Sequence, residues 1–222
     1  MVMVKYDREK VAKIFDEAYD VMDIRGGDEQ QPGKNIPTIS GEIAVERLEL
    51  KSDDVLLDIG TGTGDKAIPA AKICRRVIGI DISRDCIRRA KERAVKEGLH
   101  NVIFGYGAFE ELLAEVDLIS YDINKMLAFY SMHHLTDDMK KACFRELVGL
   151  LHRPGRIVIG DLMFFDDPEK YQDEFDDVHY DGGEVDFPAY VAYMKRCLEE
   201  LGAVVQVDQI HPLVGVIRAD LK

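Results

Sequence analysis

The chain has 222 residues, of which 46% are hydrophobic, so it is long enough for one domain with a sizeable core. Its formal net charge of −13 disfavours a nucleic-acid partner, because counterion-release binding needs a basic face. No apolar run approaches membrane-spanning length and the N-terminus lacks the apolar segment of a signal peptide. We therefore expect a soluble, cytoplasmic protein that has no membrane or nucleic-acid partner. The four cysteines form no Cys-x-x-Cys pair, which favours reduced, buried thiols and no bound metal.

The first part of the chain is expected to be helical and then irregular. Residues 4–22 have apolar side chains at helical spacing, and residues 25–37 combine glycine and proline as loops do. Ser40 is a candidate N-cap for a helix over residues 41–48. We predict an N-terminal helical lid over residues 1–40 and a single domain over residues 41–222.

Further along the chain, short apolar strands alternate with helices. The predicted strands cover residues 55–59, 77–82, 102–106, 123–129 and 156–161. The predicted helices between and after them cover residues 66–74, 84–97, 110–114, 136–151 and 188–201. The last two strands, 204–210 and 214–221, are too close together for a crossover and must form an antiparallel hairpin. This order predicts an α/β fold with a doubly wound, mostly parallel, seven-stranded Rossmann-like sheet that ends in that hairpin.

A glycine-rich turn follows the first predicted strand, in the run V-L-L-D-I-G-T-G-T-G. Glycine alone takes positive φ or admits close approach of another molecule at no steric cost. The spacing is G-x-G-x-G, whereas a dinucleotide fingerprint is G-x-G-x-x-G. This version resembles motif I of the class I S-adenosylmethionine (SAM) dependent methyltransferases, in which the turn wraps the methionine part of SAM. The resemblance assigns that role to Gly60, Thr61, Gly62 and Gly64, and Asp58, also part of the cofactor site, supports the turn.

The resemblance continues at the next two strands. Asp81 ends the second strand, seventeen residues after Gly64, where a carboxylate holds the two ribose hydroxyls. Ile82 would then lie against the adenine ring. Family members carry Gly-Asp-Ala after the third strand, but this chain lacks the acid there. The resemblance leaves adenine contacts to Gly107, to the backbone N–H of Ala108 and to the ring of Phe109.

The fourth strand ends in L-A-F-Y-S-M-H-H-L, which resembles the S-N-x-x-L-H-H-L ending of small-molecule members such as the methyltransferase domain 11 and 25 types. Phe129 stands where an Asn or Asp borders the cofactor in relatives. His133 and His134 are candidate general bases, since histidine titrates near neutral pH, with a structural role as the alternative. F-D-E-A-Y-D resembles a segment ahead of motif I whose Tyr reaches across the cofactor, so Tyr19 is a candidate cofactor contact. Residues 164–187 are interpreted as a substrate-covering insertion or a solvated acidic loop.

Together these motifs imply an enzyme that transfers a methyl group from SAM to a small-molecule acceptor and releases S-adenosylhomocysteine (SAH). Three alternatives stay open: a nicotinamide-dependent oxidoreductase, a SAM-binding protein without turnover, and an RNA or protein methyltransferase. The basic run over residues 84–96 is interpreted as the solvated face of one helix and not as a nucleic-acid patch. The acceptor and the oligomeric state are left open, with a homodimer as one arrangement.

Overall fold

The structure is a computed structural model and describes residues 6–18, 35–112 and 115–222. The strands are β1 (Val55–Ile59), β2 (Arg76–Asp81), β3 (Val102–Tyr106), β4 (Lys125–Phe129), β5 (Gly155–Leu162), β6 (Val204–His211) and β7 (Val214–Leu221). The α-helices are α1 (Arg8–Ala18), α2 (Ile36–Leu48), α3 (Ala67–Ala71), α4 (Arg84–Lys96), α5 (Asp137–Leu150) and α6 (Val191–Glu200). Short 3₁₀ helices occupy Leu118–Ser120, Met132–His134, Pro168–Glu174 and Asp176–Val178.

The strands form one seven-stranded sheet in the order β3-β2-β1-β4-β5-β7-β6. The pairs from β3 through β5 are parallel, whereas β7 runs antiparallel to both β5 and β6. The predicted α/β fold, mostly parallel with a terminal antiparallel hairpin, is therefore confirmed. The strand order reverses between β1 and β4, and in such sheets the crevice at the carboxyl ends of those two strands is where ligands bind.

Helices cover both faces of the sheet and bury it on either side. Leu57 on β1 packs into the same core as Phe144 of α5, whereas Leu56, the preceding residue, packs with Ile68 of α3 on the opposite face. All five residues of β1 are buried, as expected for a strand covered on both faces. The alternation of side chains along each strand thus fills two separate cores.

The second helix begins earlier than predicted. The Asn35 side chain accepts a hydrogen bond from Thr38 N (2.9 Å), and Pro37 stands in the first turn, where its missing N–H costs nothing. Ser40 is therefore not the N-cap. It is buried inside the helix, where its hydroxyl donates to the Pro37 carbonyl (3.0 Å). The predicted division of the chain after residue 40 falls within this helix.

Two other predicted elements differ from the structure. Residues 110–112 form a turn and no helix, since Glu111 N–H donates to the Ala108 carbonyl (3.0 Å) and Ala108 N–H to the Glu111 carbonyl (3.3 Å). Strand β4 begins at Lys125 and not at residue 123. The side chain of Asn124 instead accepts from Val55 N (2.9 Å) and so ties the connection to the start of β1.

The cysteines and the charged helix behave as expected. All four cysteines are free and buried.

No helix in the described ranges has the length and apolar character needed to cross a membrane. On α4, Arg88 pairs with Asp85 (2.5 Å) and Glu92 (2.8 Å), so this part of the basic run is neutralised by acids on the same helix.

Candidate functional site

The glycine turn lies at the carboxyl end of β1, and its backbone requires glycine. Gly60, Gly62 and Gly64 have φ of 72°, 53° and 85°, in the region that L side chains rarely adopt. The N–H groups of Gly60 and Thr61 both donate to the Ile80 carbonyl (2.9 and 3.0 Å), which fixes the turn against β2. A β-carbon at Gly60 would also collide with the Ser131 side chain.

Two buried carboxylates flank this turn. The Asp58 side chain accepts from the Thr61 hydroxyl (2.7 Å), and burial, with Asp81 nearby, raises the pKa of Asp58 to about 7. Asp81 accepts from Gly62 N (2.7 Å) and from Ser83 N (2.8 Å), one bond to each oxygen. Burial likewise raises the pKa of Asp81. Since each carboxylate oxygen can accept a further bond, Asp81 keeps capacity for two hydroxyls.

A cavity of about 370 Å³ opens over the turn at the β1–β4 crevice. The predicted site residues that line it are Asp58, Gly60, Thr61, Gly62, Asp81, Ile82, Gly107, Ala108, Phe109, Phe129 and His134. Gly64 and His133 are near the cavity but do not line it, and Tyr19 lies outside the described residues. The N–H of Ala108 was expected to contact adenine. It instead donates a hydrogen bond to the Glu111 carbonyl, within the turn that the structure has where a helix was predicted.

The cavity also has lining residues that sequence reasoning missed. Lys66 is the only lysine or arginine among the described residues that line it, and its Nζ lies 4.7 Å from the centroid of the Phe129 ring. It stands against Gly41, where a β-carbon would approach Nζ to 2.6 Å. Lys66 follows the last glycine of the turn by two residues, and this position in the sequence could have indicated that it lies near the cavity.

Helix α1 borders one side of the cavity through Val11 and Phe15. Its Asp16 accepts from the Ser83 hydroxyl (2.5 Å), next to Asp81 on the cavity wall. Near the start of the helix, Arg8 donates to Glu111 (2.9 Å) and also bonds Tyr106. The helix is thus held to the loops that follow both β2 and β3.

The His-His turn after β4 is built around one carboxylate, Asp161, at the end of β5. Its Oδ2 accepts from the N–H groups of Met132 (2.8 Å) and His133 (3.1 Å). Its Oδ1 lies 2.5 Å from His133 Nδ1. Burial alone would lower the pKa of His133, but Asp161 outweighs it and raises that pKa. Asp161 therefore holds the turn in place and favours a charged His133.

His134 contacts Asp186, which lies about fifty residues later in the sequence. Its Nδ1 lies 3.1 Å from Asp186 Oδ1 and 3.3 Å from the Val185 carbonyl. His133 Nε2 is 3.4 Å from the same Asp186 oxygen. Burial would raise the pKa of Asp186, but the two histidines lower it, whereas burial and His133 lower the pKa of His134. Nothing in the sequence spacing indicated Asp186, which lies in the acidic stretch over residues 164–187.

A family model described as a methyltransferase domain matches residues 50–209, which run from just before β1 into β6. The chain belongs to the class I SAM-dependent methyltransferases. The nicotinamide-dependent alternative is thereby removed.

Similar proteins include the uncharacterized methyltransferase YcgJ of Bacillus subtilis, 31% identical over 126 residues (57% of this chain, 47% of the relative). The 23S rRNA (uracil(1939)-C(5))-methyltransferase RlmD of Legionella pneumophila is 32% identical over 84 residues (38% of this chain, 19% of that protein). The chain thus spans less than half the length of these two relatives. Among solved structures, magnesium protoporphyrin IX methyltransferase (ChlM) of Synechocystis PCC 6803 with bound SAH has a TM-score of 0.71 at 15% identity. The alignment covers 97% of this chain and 100% of that one, and it shows a shared fold.

Proposed function

We propose that this enzyme methylates a small molecule. The observation that carries the proposal is the cavity of about 370 Å³, which lies between the glycine turn, helix α1 and the segment that contains His179. A concave site with mainly apolar walls and few polar groups suits a ligand that is buried on most sides. SAM would occupy the side formed by the turn and Asp81. The acceptor would then lie on the side bordered by Phe15, Tyr130 and His134.

The residues present fit the groups that SAM carries. We assign the ribose hydroxyls to Asp81, whose oxygens keep free lone pairs, and the adenine to Ile82 and the ring of Phe109. Lys66 supplies the positive charge for the methionine carboxylate. Asp58 supplies negative charge near the ammonium group. The charge of each wall is therefore opposite to that of the group it faces.

SAM supplies a methyl group bonded to a positively charged sulfur, from which a neutral thioether departs. The protein has to hold the acceptor in line with that bond and to exclude water. Such positioning lowers the barrier by about 7–11 kcal/mol. The walls that provide it are Gly60 and Ser131 on the sheet side and Phe15 of α1 on the other.

RlmD raises RNA as a second candidate acceptor, but the charges favour the small molecule. Arg93 of α4 pairs with Asp65 (2.5 Å), and Arg84 pairs with Glu115 (2.7 Å). With Arg88 also paired, the densest basic run offers few unpaired charges for phosphates. The net charge of −13 also disfavours an RNA acceptor, because RNA is negatively charged.

The proposal is tested by incubating the protein with methyl-labelled SAM and two fractions of a cell extract, a low-molecular-mass filtrate and the retained macromolecules. We expect label and SAH to appear with the filtrate and not with the retained RNA and protein. Asp81→Asn, carried through both arms, reports background transfer. Label confined to the retained fraction would show a macromolecular acceptor and contradict the proposal.

A further inference from the structure

Two buried side-chain polar atoms have no hydrogen-bond partner within the part of the chain that the structure describes, and both belong to residues that line the cavity. They are His134 Nε2 and the Tyr130 hydroxyl. His134 is only 9% exposed. Buried polar atoms in proteins are almost always hydrogen-bonded, so a pair of exceptions at one cavity points to groups that a ligand satisfies.

The hydrogen bonds of His134 determine which nitrogen carries its proton. Asp186 and the Val185 carbonyl both face Nδ1, and both can only accept hydrogen bonds. The proton of the neutral ring therefore resides on Nδ1, and Nε2 keeps a free lone pair. The lowered pKa of His134 is consistent with a neutral ring at pH 7. His134 thus presents an acceptor for a proton.

Asp161 and His133 help to fix the position of Asp186 beside His134. Asp161 fixes the ring of His133 through Nδ1 (2.5 Å), and the other edge of that ring faces Asp186 at 3.4 Å. The same oxygen of Asp186 is thus close to a nitrogen of each histidine ring, and the centroids of the two rings are 4.0 Å apart. The role of Asp186 is to keep the proton of His134 on Nδ1 and to stabilise the ring when Nε2 becomes protonated.

Backbone conformation also singles out this side of the cavity. Among the described residues, Tyr130, His179 and Glu49 are the non-glycine residues with positive φ, at 45°, 57° and 50°. Tyr130 and His179 line the cavity. Such conformations are strained and concentrate at functional sites, where the surrounding structure imposes them.

The two unpartnered atoms favour one kind of acceptor. A hydroxyl group donates its proton to Nε2 and accepts from the Tyr130 hydroxyl, so it satisfies both. A carboxylate has no proton for Nε2, and an amine attacks the methyl group through its nitrogen lone pair without first giving a proton to a base. The Tyr130 hydroxyl lies beside Ser40, whose hydroxyl donates its proton to the Pro37 carbonyl (3.0 Å).

We propose that His134 is the general base of the reaction and that the acceptor is a small molecule methylated on a hydroxyl oxygen. This inference rests on the proposed function. The hydroxyl proton moves to His134 Nε2, and the O–H electron pair stays on oxygen. The oxygen bonds the methyl carbon as the carbon–sulfur bond breaks, and that electron pair stays on sulfur in SAH. The positive charge lost from sulfur is carried by His134, beside Asp186.

The first test needs no acceptor. Nitrogen NMR of protein labelled with ¹⁵N-histidine at pH 7 is expected to show Nδ1 of His134 protonated and Nε2 unprotonated. His134→Gln assigns the signals, and His100→Gln, which changes an exposed histidine outside the cavity, is the matched control. A proton on Nε2 would overturn the proposal. The measurement itself is made on the unchanged protein, and His134→Asn assigns the signals if His134→Gln fails to fold.

The second test uses labelled SAM with a panel of hydroxyl compounds, both phenols and alcohols, and with amines and carboxylic acids of the same skeletons. We expect methyl ethers, and we expect His134→Gln to lower kcat by ~10²–10⁴ with an unchanged Kd for SAM. Asp186→Asn should lower kcat less, and His100→Gln should leave it unchanged. Methylation confined to amines or acids, or full activity in His134→Gln, would overturn the proposal.

Two further outcomes distinguish a failure of this inference from a failure of the proposed function. If the protein does not bind SAM, the proposed function fails as a whole. If it binds SAM but loses activity with a chelator and regains it with Zn²⁺, the histidine cluster holds a metal ion and His134 is not the base. If no panel compound is methylated, the proposal is judged by the NMR measurement of which nitrogen of His134 carries the proton.

Discussion

At the scale of single residues, we propose that cofactor binding depends most directly on the side chain of Asp81. We expect Asp81→Asn to weaken SAM binding by tenfold or more, because hydrogen bonds to a charged group contribute about 1.5–3 kcal/mol each. Titration calorimetry measures the change. Asp53→Asn removes an exposed carboxylate just before β1 and should leave the Kd unchanged. Equal Kd values for Asp81→Asn and the unchanged protein would remove Asp81 from the site.

We expect Asp58 to make SAM binding depend on pH. Its pKa is about 7 in the free protein, where burial, Asp81 and Asp65 disfavour the charge while Thr61 and Lys66 favour it. The positive groups of SAM would lower that pKa, so the complex holds fewer protons than the free protein. The Kd should therefore fall as pH rises through about 7 and level off above it.

The check is calorimetry at pH 7 in two buffers with different ionisation enthalpies, which reports protons released on binding. Asp58→Asn should bind SAM with no such release and with a flatter pH dependence. Proton uptake, or an unchanged pH profile in the variant, would show that Asp58 does not respond to the cofactor.

Gly60 is required by the turn itself. Gly60→Ala would hold a side chain at φ of 72° against Ser131, and strain of this kind costs about 1–3 kcal/mol. We expect the free energy of unfolding in urea to fall by at least that amount. Gly149→Ala is the control, since this exposed glycine lies on α5 with no atom near its added carbon and should gain stability. No loss in Gly60→Ala would mean that the turn relaxes freely.

At the scale of elements, helix α1 borders the cavity, and we propose that it covers the cofactor and controls its release. Removing the link between Asp16 and the Ser83 hydroxyl (2.5 Å) with Asp16→Ala should speed SAH dissociation about tenfold, the equivalent of one hydrogen bond of about 1.4 kcal/mol. Stopped-flow displacement measures the rate. Glu9→Ala, at an exposed position on the same helix, should leave the rate unchanged. If both variants release SAH at the original rate, α1 does not cover the bound cofactor.

The elements show what local sequence can predict. Strand β3 lies where it was predicted, because apolar runs bounded by glycine and polar residues are a local signal. The start of α2 was missed because Asn35 and Pro37 were interpreted as loop residues although they form its first turn. The fold prediction needed only the order of such elements and the short final connection.

Long-range contacts explain what was missed in the site. Asp186 reaches His134 across about fifty residues of chain, and the pairing depends on how residues 164–187 pack, which no spacing encodes. Asp161 likewise anchors the His-His turn from about thirty residues further along the chain. The cofactor-binding roles of the predicted residues, the division of the chain after residue 40 and the cytoplasmic location stay predictions.

At the scale of the whole molecule, the fold, the crevice and the charges serve one purpose. The reversal of strand order places the glycine turn of β1 beside the His-His turn after β4, and the cavity lies between them. The cofactor side of that cavity is acidic and rests on backbone hydrogen bonds. The opposite side is aromatic and contains the two unpartnered polar atoms. We propose that the methyl donor binds on the first side and the acceptor on the second.

The most direct test of the account is a calorimetric titration of the purified protein with SAM, SAH and NAD(H). The account predicts micromolar binding of SAM and SAH at one site, competition between the two, and no binding of NAD(H). Binding of NAD(H) in their place, or of none of the three, would contradict it.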